Sequence, residues 1–380
     1  MEGWVRNNIF INYHFSWKSM ERKHLATFFE DFLDRDTLFR NRSVLLSSFM
    51  PDTVLYREEE KNQTASILAP ALKKERPSNV FIYGNTGTGK TLTIRHITDT
   101  MQKVAQEKHI PFKVVYVNCK LKRVADTEYR LIAHIASFFG KAIPSTGLPT
   151  DEVYRIFYNG IEQEQGVILL ILDEIDQLIK KTGDDILYNL TRSNEELQNT
   201  QISIVGISND TTFLDNLDMR VRSSLSEESI FFAPYNAIQM QTILRERANL
   251  AFKEDSLDQG VIEKCAAFAA REHGDARKAI ELLRVAAEMA ERNKEKKIML
   301  VHIDEAQDNL EKEKIFDIIK NQPKQYQAVL YSVLTLKSSL DSIYTGETYD
   351  LYSKICFKAG LRPLTQRRVS DILNDFEQMG

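Results

Sequence analysis

The positions of apolar residues divide the chain into two parts with different periodicities. Between Val80 and Phe232, short apolar runs alternate with stretches of helical spacing. This alternation is typical of a parallel sheet whose strands are joined by crossover helices. The pattern therefore predicts the α/β fold class, with five strands at Val80–Tyr83, Lys113–Asn118, Val167–Leu172, Ile202–Ile207 and Ser229–Phe232.

The rest of the chain after the last strand has helical periodicity only. From Asn236 to about Lys320, small and aliphatic residues recur at helical spacing and predict a small helical bundle. The polar, proline-containing stretch from Lys320 to Gln325 interrupts this pattern, and three further helices are predicted after it. The predicted domains are an N-terminal extension of undetermined role (1–53), the α/β core (54–234), the helical bundle (235–320) and a C-terminal helical domain (321–380).

Composition limits the classes of protein to consider. The 380 residues are 43% hydrophobic and 27% charged, which is enough for two or three domains with cores of their own. The longest aliphatic run, Val167–Leu172, is far shorter than the roughly 18 to 20 residues of a membrane-spanning helix. The first 20 residues lack the apolar segment of a secretory signal. We therefore expect a cytoplasmic protein without a membrane partner.

Cysteine usage and net charge add two further expectations. Cys119, Cys265 and Cys356 have neither metal-ligand spacing nor the pattern of a disulfide framework, so we expect buried thiols in a reducing compartment. The net charge of -4 and pI near 6.1 argue against a protein that binds polyanions over its whole surface. A nucleic-acid site would therefore have to be a local basic surface.

The stretch VFIYGNTGTGKTLT, Val80 to Thr93, joins the first predicted strand to a helix through a loop with three glycines. The loop fits the pattern G-x-x-x-x-G-K-[ST], in which glycines let backbone N–H groups turn toward phosphates and the helix N-terminus adds its positive dipole end. The lysine would reach the β- and γ-phosphates, and the threonine hydroxyl would hold magnesium. A glycine loop without a ligand is the alternative. The predicted nucleotide contacts are Gly84, Asn85, Thr86, Gly87, Thr88, Gly89, Lys90, Thr91 and Leu92.

An acidic pair follows the third predicted strand, in the stretch VILLILDEID. Asp173 can hold magnesium together with Thr91, and Glu174 can orient and deprotonate the attacking water. The alternative is an ordinary helix N-terminus, where acidic side chains interact favourably with the dipole. With the glycine loop upstream, the pair predicts hydrolysis of ATP to ADP and phosphate, with magnesium as the metal.

Two further polar residues are candidates for sensing the γ-phosphate. Asn209 follows the fourth predicted strand, which would lie between the two nucleotide-binding strands if the sheet has the usual doubly wound order. Alone, its polar cluster would be a turn or a helix cap. Arg277 lies in the first turn of a helix with Asp275 as its predicted N-cap, where a cation works against the dipole unless a phosphate offsets it. A solvated surface arginine is the alternative.

These motifs, in this order, resemble the AAA+ ATPase superfamily, with GNTGTGKT as Walker A, LLILDEID as Walker B, ISND as sensor 1 and GDARKA as sensor 2. The stretches LDMRVRSSLSEESIFFAPYNAIQMQTIL and GDARKAIELLRVAAEMAE look like archaeal replication initiators of the origin recognition complex/cell division control type. The resemblance covers nearly the whole chain from about Val54. It implies an AAA+ core with a five-stranded parallel sheet, a helical lid and a C-terminal winged-helix-like domain.

The resemblance also implies roles for residues outside the four motifs. Tyr56, Arg57 and Glu58 stand where the family has an HRE-like stretch that helps hold adenine, so Arg57 is a predicted nucleotide contact, as is Tyr235. Arg220 and Arg222 lie where related ATPases have an arginine finger for a neighbour's nucleotide.

The C-terminal segment carries the predicted DNA site. Five basic residues and no acidic residue occur between Leu351 and Ser370, in a pattern that predicts a helix-turn-helix. The second helix would begin near Leu364. The predicted DNA contacts there are Arg362, Thr365, Gln366, Arg367 and Arg368. The resemblance adds Lys122, Arg123 and Arg130, in a helical insertion whose apolar residues would otherwise be plain core.

Together these features predict an ATP-dependent replication initiator that binds double-stranded origin DNA and helps recruit or load the replicative helicase, with a weak ATPase as the switch. We expect it to be associated with the chromosome, monomeric when free and assembled side by side on DNA. The family's β-hairpin wing has no counterpart before the final DFEQMG, so either the sequence is cut short or the protein lacks the wing, and weaker DNA affinity is expected in both cases. The alternatives are a clamp loader, a DNA-remodelling ATPase and a plain transcriptional regulator.

Overall fold

A computed structural model of the protein describes residues 36–121, 124–225, 227–337 and 343–379. The chain divides into two compact units. Leu38–Ile303 form one unit, and the chain from Asp304 onward belongs to the other. The three cysteines are free and buried, as expected. Within the described residues, no helix has both the length and the apolar character needed to cross a bilayer.

The first unit is built on a parallel sheet of five strands. These are β1 (Asn79–Tyr83), β2 (Phe112–Asn118), β3 (Val167–Asp173), β4 (Gln201–Ser208) and β5 (Glu227–Phe231). Their order in the sheet is β2-β3-β4-β1-β5, and all pairs are parallel. The five predicted strands are confirmed, with small shifts at their ends. Strand β4 lies between β1 and β3, as the prediction for Asn209 requires.

Helices cover both faces of this sheet. They are α1 (Glu58–Leu68), α2 (Lys90–Glu107), α3 (Glu128–Ser137), α4 (Thr150–Ile161), α5 (Ile175–Thr182), α6 (Asp185–Glu196) and α7 (Met219–Leu225). Side chains of a strand alternate between faces. Leu169 and Ile171 of β3 accordingly pack with Ile94 of α2, whereas Leu170 and Leu172 face the cluster built by α3 to α6. The whole of β3 is buried.

The same unit contains the predicted helical bundle, which follows β5. Its helices are α8 (Ala237–Ala251), α9 (Val261–Arg271) and α10 (Ala276–Arg292), and α11 (Leu300–Asn321) begins within the unit. On α10, Ala279, Leu283 and Ala287, which recur at helical spacing, are buried. The segment before α1 packs on this bundle, since Phe39 forms a bridge with Phe252 and the Val44 carbonyl accepts a hydrogen bond from Arg247.

The second unit contains the three helices predicted after Lys320. They are α12 (Lys324–Lys337), α13 (Thr345–Lys358) and α14 (Gln366–Met379). Val329, Tyr352, Val369 and Ile372 form its buried core. Because this core takes residues from all three helices, it fixes the turn between α13 and α14. The Tyr352 hydroxyl accepts a hydrogen bond from the Leu364 N–H in that turn, at 2.9 Å.

Candidate nucleotide-binding cleft

The glycine loop lies between β1 and α2, as the sequence predicts. Gly89 is the N-cap of α2 and has φ of 91°, and Gly87 has φ of 75°, a region of backbone conformation that favours glycine. Lys90 is the first residue of the helix. Its Nζ donates hydrogen bonds to the carbonyls of Gly84 and Asn85, each at 2.7 Å. The lysine side chain therefore folds back onto the glycine loop, where a phosphate would also bind.

Burial and a neighbouring cation disfavour the charged form of Lys90. Its side chain is only 5% exposed. Burial and then the nearby Arg277 guanidinium lower the pKa of Lys90 to about 8, although the carboxylates of Asp173 and Asp275 act in the opposite direction. Two cations that face one another across a cleft lose this repulsion when a polyanion binds between them. The site is thus electrostatically suited to phosphate groups.

The carboxylate of Asp173 lies at the end of β3, beside the first turn of α2. Its Oδ2 accepts hydrogen bonds from the Thr91 hydroxyl, at 3.0 Å, and from the Tyr116 hydroxyl, while its Oδ1 accepts one from the Glu174 N–H at 3.0 Å. A hydroxyl and a carboxylate this close provide the oxygen ligands that magnesium prefers. The structure therefore brings together the two predicted metal ligands, Thr91 and Asp173.

Glu174 has an unusual backbone conformation. Its φ of 55° and ψ of 44° are left-handed, and it is the N-cap of α5. For a residue with a β-carbon this conformation costs free energy and occurs often at functional sites. Its carboxylate lines the cleft and lies 3.6 Å from Lys120 Nζ. Glu174 faces Lys120 whereas Asp173 is bonded to Thr91 and Tyr116, so the two adjacent acids can do different work.

The helical bundle touches the loop directly. Asp275 caps α10 as predicted, with its Oδ1 accepting from the N–H of Arg277 at 2.9 Å. The next N–H, of Ala276, donates to the carbonyl of Gly87 at 3.3 Å. Both Arg277 and Asn209 line the same cleft as the loop and the acidic pair. The structure therefore assembles the four predicted motifs around one space.

This space is a cleft of about 660 Å³ within the first unit. One wall consists of residues between Leu45 and Leu55, whose role the sequence left undetermined. The bundle contributes further apolar and charged lining, including Ile243, Ile280 and Arg284. The predicted contacts Gly87, Thr88, Gly89, Thr91, Leu92 and Tyr235 also line it. A cleft with both apolar and charged lining beside the glycine loop can accommodate a nucleotide.

Arg57 is buried behind the loop. Its Nε donates to the Thr88 carbonyl at 2.9 Å, and its other nitrogens reach Glu60 and the Ala233 carbonyl. The guanidinium carbon also lies 4.2 Å from the ring centroid of Tyr235. Arg57 thus connects the loop to the segment between β5 and the bundle. A role of Arg57 in holding the base stays a prediction.

Sequence reasoning missed two residues that border the acidic pair. Tyr116 on β2 and Arg95 on α2 both line the cleft, and the Arg95 guanidinium carbon lies 4.3 Å from the centroid of the Tyr116 ring. Burial and the neighbouring Asp173 raise the pKa of Tyr116 to about 12, so its hydroxyl keeps its proton at neutral pH. The sequence signal that could have identified Tyr116 was its position near the end of β2, the strand that pairs with β3.

The predicted arginine fingers lie on an exposed helix outside the cleft. Arg220 pairs with Asp218 at 3.1 Å, and Arg222 pairs with Asp215 at 3.5 Å. Both arginines are more than half exposed. Both arginines could exchange these surface ion pairs for contacts with a second molecule, because such pairs contribute little to stability.

The predicted DNA contacts of the second unit are all exposed. The Thr365 hydroxyl accepts from the Arg368 N–H at 3.4 Å, so Thr365 caps α14, and Gln366, Arg367 and Arg368 form its first turn. Arg362 lies in the preceding turn, and Arg368 is 3.6 Å from Asp371. In the first unit, Lys122 and Arg123 lie outside the described residues. Arg130 of α3 pairs with Asp126, whereas Leu131, Ile132 and Ile135 are core.

Comparison with known protein families assigns three parts of the chain. Residues 73–210 match an AAA domain, residues 241–308 match the Cdc6 AAA+ ATPase-type lid domain, and residues 317–380 match the CDC6 C-terminal winged helix domain. The fold class and the recognised family are thereby confirmed.

Individual relatives agree with this assignment. An ORC1-type DNA replication protein of Thermococcus onnurineus is 45% identical over 366 residues, which cover 95% of this chain and 88% of that protein. The solved structure of the Aeropyrum pernix ORC1 protein in complex with DNA is 40% identical, with a TM-score of 0.77, and the match covers 91% of this chain and 89% of that one. Cdc6p from Pyrobaculum aerophilum shares the fold, with 24% identity and a TM-score of 0.63. The chain belongs to the family of ORC1-type DNA replication proteins.

Proposed function

We propose that the cleft binds magnesium-ATP and hydrolyses it slowly, and that the bound nucleotide sets the DNA affinity of the protein. The observation that carries this proposal is the convergence of Lys90, the Thr91–Asp173 pair and Arg277 on one cleft that the lid contacts through Gly87. A triphosphate would offset the repulsion between the two cations. Its γ-phosphate would add a ligand that the lid arginine can bind.

Each residue has a separate task in this proposal. The loop N–H groups and Lys90 bind the phosphates, and Thr91 and Asp173 hold magnesium, which neutralises charge on the phosphates when bound. Glu174 accepts a proton from the attacking water. Asn209, which directly follows β4, and Arg277 of α10 contact the γ-phosphate. Because Arg277 belongs to the lid, loss of the γ-phosphate removes one contact that holds the lid closed.

DNA recognition is the second half of the proposed function. The Aeropyrum pernix ORC1 protein, 40% identical to this chain, has been solved in complex with DNA. The exposed first turn of α14 offers side chains of types that can contact base edges and phosphates. We infer that the ligand is double-stranded origin DNA and that copies of the protein bind side by side on it. In that assembly Arg220 and Arg222 would face a neighbour's nucleotide. The protein partner at the chromosome would be the replicative helicase.

Titration of labelled chromosomal origin DNA with ATP, with ADP and without nucleotide tests the proposal. We expect tighter binding with ATP, a turnover well below one per second and no ring of defined size in the absence of DNA. A clamp loader would form pentamers, and a DNA-remodelling motor would form hexamers with rapid turnover. Equal affinity with and without nucleotide, as in a plain transcriptional regulator, would contradict the switch. Footprints remote from every replication start would contradict the initiator role.

A further inference from the structure

Tyr116 occupies a position beside the predicted magnesium ligands that no motif assigns. It lies on β2, two residues before Asn118, which is paired in register with Asp173 on β3. Its hydroxyl donates to Asp173 Oδ2, the oxygen that also accepts from Thr91. Among the described residues, Tyr116 is the side chain from β2 that is bonded to this carboxylate. The Tyr116 hydroxyl is therefore bonded directly to Asp173, one of the two predicted magnesium ligands.

Arg95 fixes the ring of Tyr116 in turn. It follows Thr91 by four residues on α2, so both side chains lie on the same face of the helix. The guanidinium carbon lies 4.3 Å from the centroid of the phenol ring, a distance at which a cation is attracted to the face of an aromatic ring. The Thr91–Asp173 bond connects α2 to β3, the two elements that carry the predicted metal ligands. Arg95 and Tyr116 form a second connection between them.

We infer that Tyr116, held by Arg95, is a positioning residue that fixes the Asp173 carboxylate for magnesium, an inference that rests on the proposed binding of magnesium-ATP. Asp173 Oδ1 is already held by the Glu174 N–H, so the Tyr116 bond to Oδ2 fixes the rotation of the whole carboxylate. The Thr91 hydroxyl can donate its proton to Asp173 and still direct its oxygen lone pairs at a metal. The preformed arrangement therefore fits the bound state.

Loss of the Tyr116 hydroxyl should lower nucleotide affinity only when magnesium is present. Removing an outer partner of a metal ligand typically weakens metal binding 10- to 100-fold. Nucleotide binding without metal would depend instead on the loop N–H groups and on Lys90, whose Nζ is held by the Gly84 and Asn85 carbonyls, whereas the Tyr116 hydroxyl is bonded to Asp173. A residue that only filled space would change both affinities together. The ratio of nucleotide affinity with magnesium to that with a chelator therefore separates the two roles.

The test measures the affinity of the full-length protein for a fluorescent ATP analogue, in magnesium and in EDTA, for the wild type, Tyr116→Phe and Arg95→Met. We expect Tyr116→Phe to lower the ratio about tenfold while the affinity in EDTA stays within about twofold. Arg95→Met should lower the ratio by a smaller factor. Tyr154→Phe is the matched control, because it also removes a tyrosine hydroxyl bonded to a carboxylate, that of Glu128, but outside the cleft.

Three results would overturn the inference. A ratio in Tyr116→Phe equal to that of the wild type would show that the hydroxyl does not support the metal. An equal loss in both buffers, or the same loss in Tyr154→Phe, would indicate a packing role. Absence of nucleotide binding by the wild type in either buffer would instead refute the proposed function, on which the inference rests. Circular dichroism on each variant confirms that the comparison is made between folded proteins.

Discussion

Gly87 of the phosphate-binding loop lies in direct contact with Asp275, the N-cap of the lid helix α10. A β-carbon on Gly87 would fall 1.8 Å from Asp275 Oδ1 and 2.9 Å from its Cα atom. The neighbouring Ala276 N–H donates to the Gly87 carbonyl. Because nothing larger than a hydrogen fits between the loop and the lid here, a change in the loop must move the lid.

Substitution of Gly87 by alanine should therefore weaken nucleotide binding at least about tenfold, because the lid cannot close over the loop. Gly140→Ala is the matched control. Gly140 has φ of 73°, similar to the 75° of Gly87, but its β-carbon would meet open space. Both variants carry the backbone cost, roughly 1 to 2 kcal/mol, of an alanine at positive φ. Equal nucleotide affinities of the two variants, measured by fluorescence titration, would contradict a lid contact at Gly87.

Glu174→Gln should separate binding from hydrolysis. The amide cannot accept a proton from water, so turnover should fall about 100-fold or more, whereas ATP affinity should change by less than about threefold. Steady-state phosphate release and equilibrium binding on the same preparation measure the two quantities. Glu107→Gln, at the exposed end of α2, is a control for loss of a charge. Turnover of Glu174→Gln at the wild-type rate would remove Glu174 from the mechanism.

The lowered pKa of Lys90 predicts a pH dependence of nucleotide binding. The pKa of Lys90 is about 8, below the 10.5 of an ordinary lysine, and a bound phosphate would raise it. Above that pKa, binding must take up a proton, so affinity should fall about tenfold between pH 7 and pH 9. Calorimetry in two buffers of different ionisation enthalpy should show uptake of nearly one proton at pH 9 and almost none at pH 6.5. Equal proton uptake at the two pH values would exclude Lys90 as the titrating group.

The sequence predicted the sheet and the residues of the cleft that belong to motifs, because both depend on local patterns. The buried run of β3 and the glycine loop each have a signature within a few residues. The wall at Leu45–Leu55 and the Tyr116–Asp173 bond have no such signature. They follow from how distant segments pack, which spacing along one chain does not reveal.

DNA affinity should depend on Arg367 through its charge. Each phosphate contact contributes about -0.9 to the slope of log affinity against log salt, so Arg367→Ala should reduce that slope by about 0.9. The loss should be similar for specific and unrelated duplexes if the contact is to phosphate. Arg292→Ala removes an exposed arginine from α10 and is the control. Anisotropy titrations from 50 to 200 mM salt measure both slopes, and an unchanged slope for Arg367→Ala would remove this residue from the interface.

Binding of ATP by the Lys90→Ala variant is the most direct test of the cleft as the nucleotide site. Lys90 provides charged hydrogen bonds of about 1.5 to 3 kcal/mol each, so losing two of them should weaken ATP binding at least about 100-fold. Lys103→Ala, on the exposed side of the same helix, should bind ATP as the wild type does. Calorimetric titration of the three proteins with magnesium-ATP should give one site per chain in the wild type and in Lys103→Ala, and none in Lys90→Ala. Wild-type affinity in Lys90→Ala would contradict the assignment of this cleft.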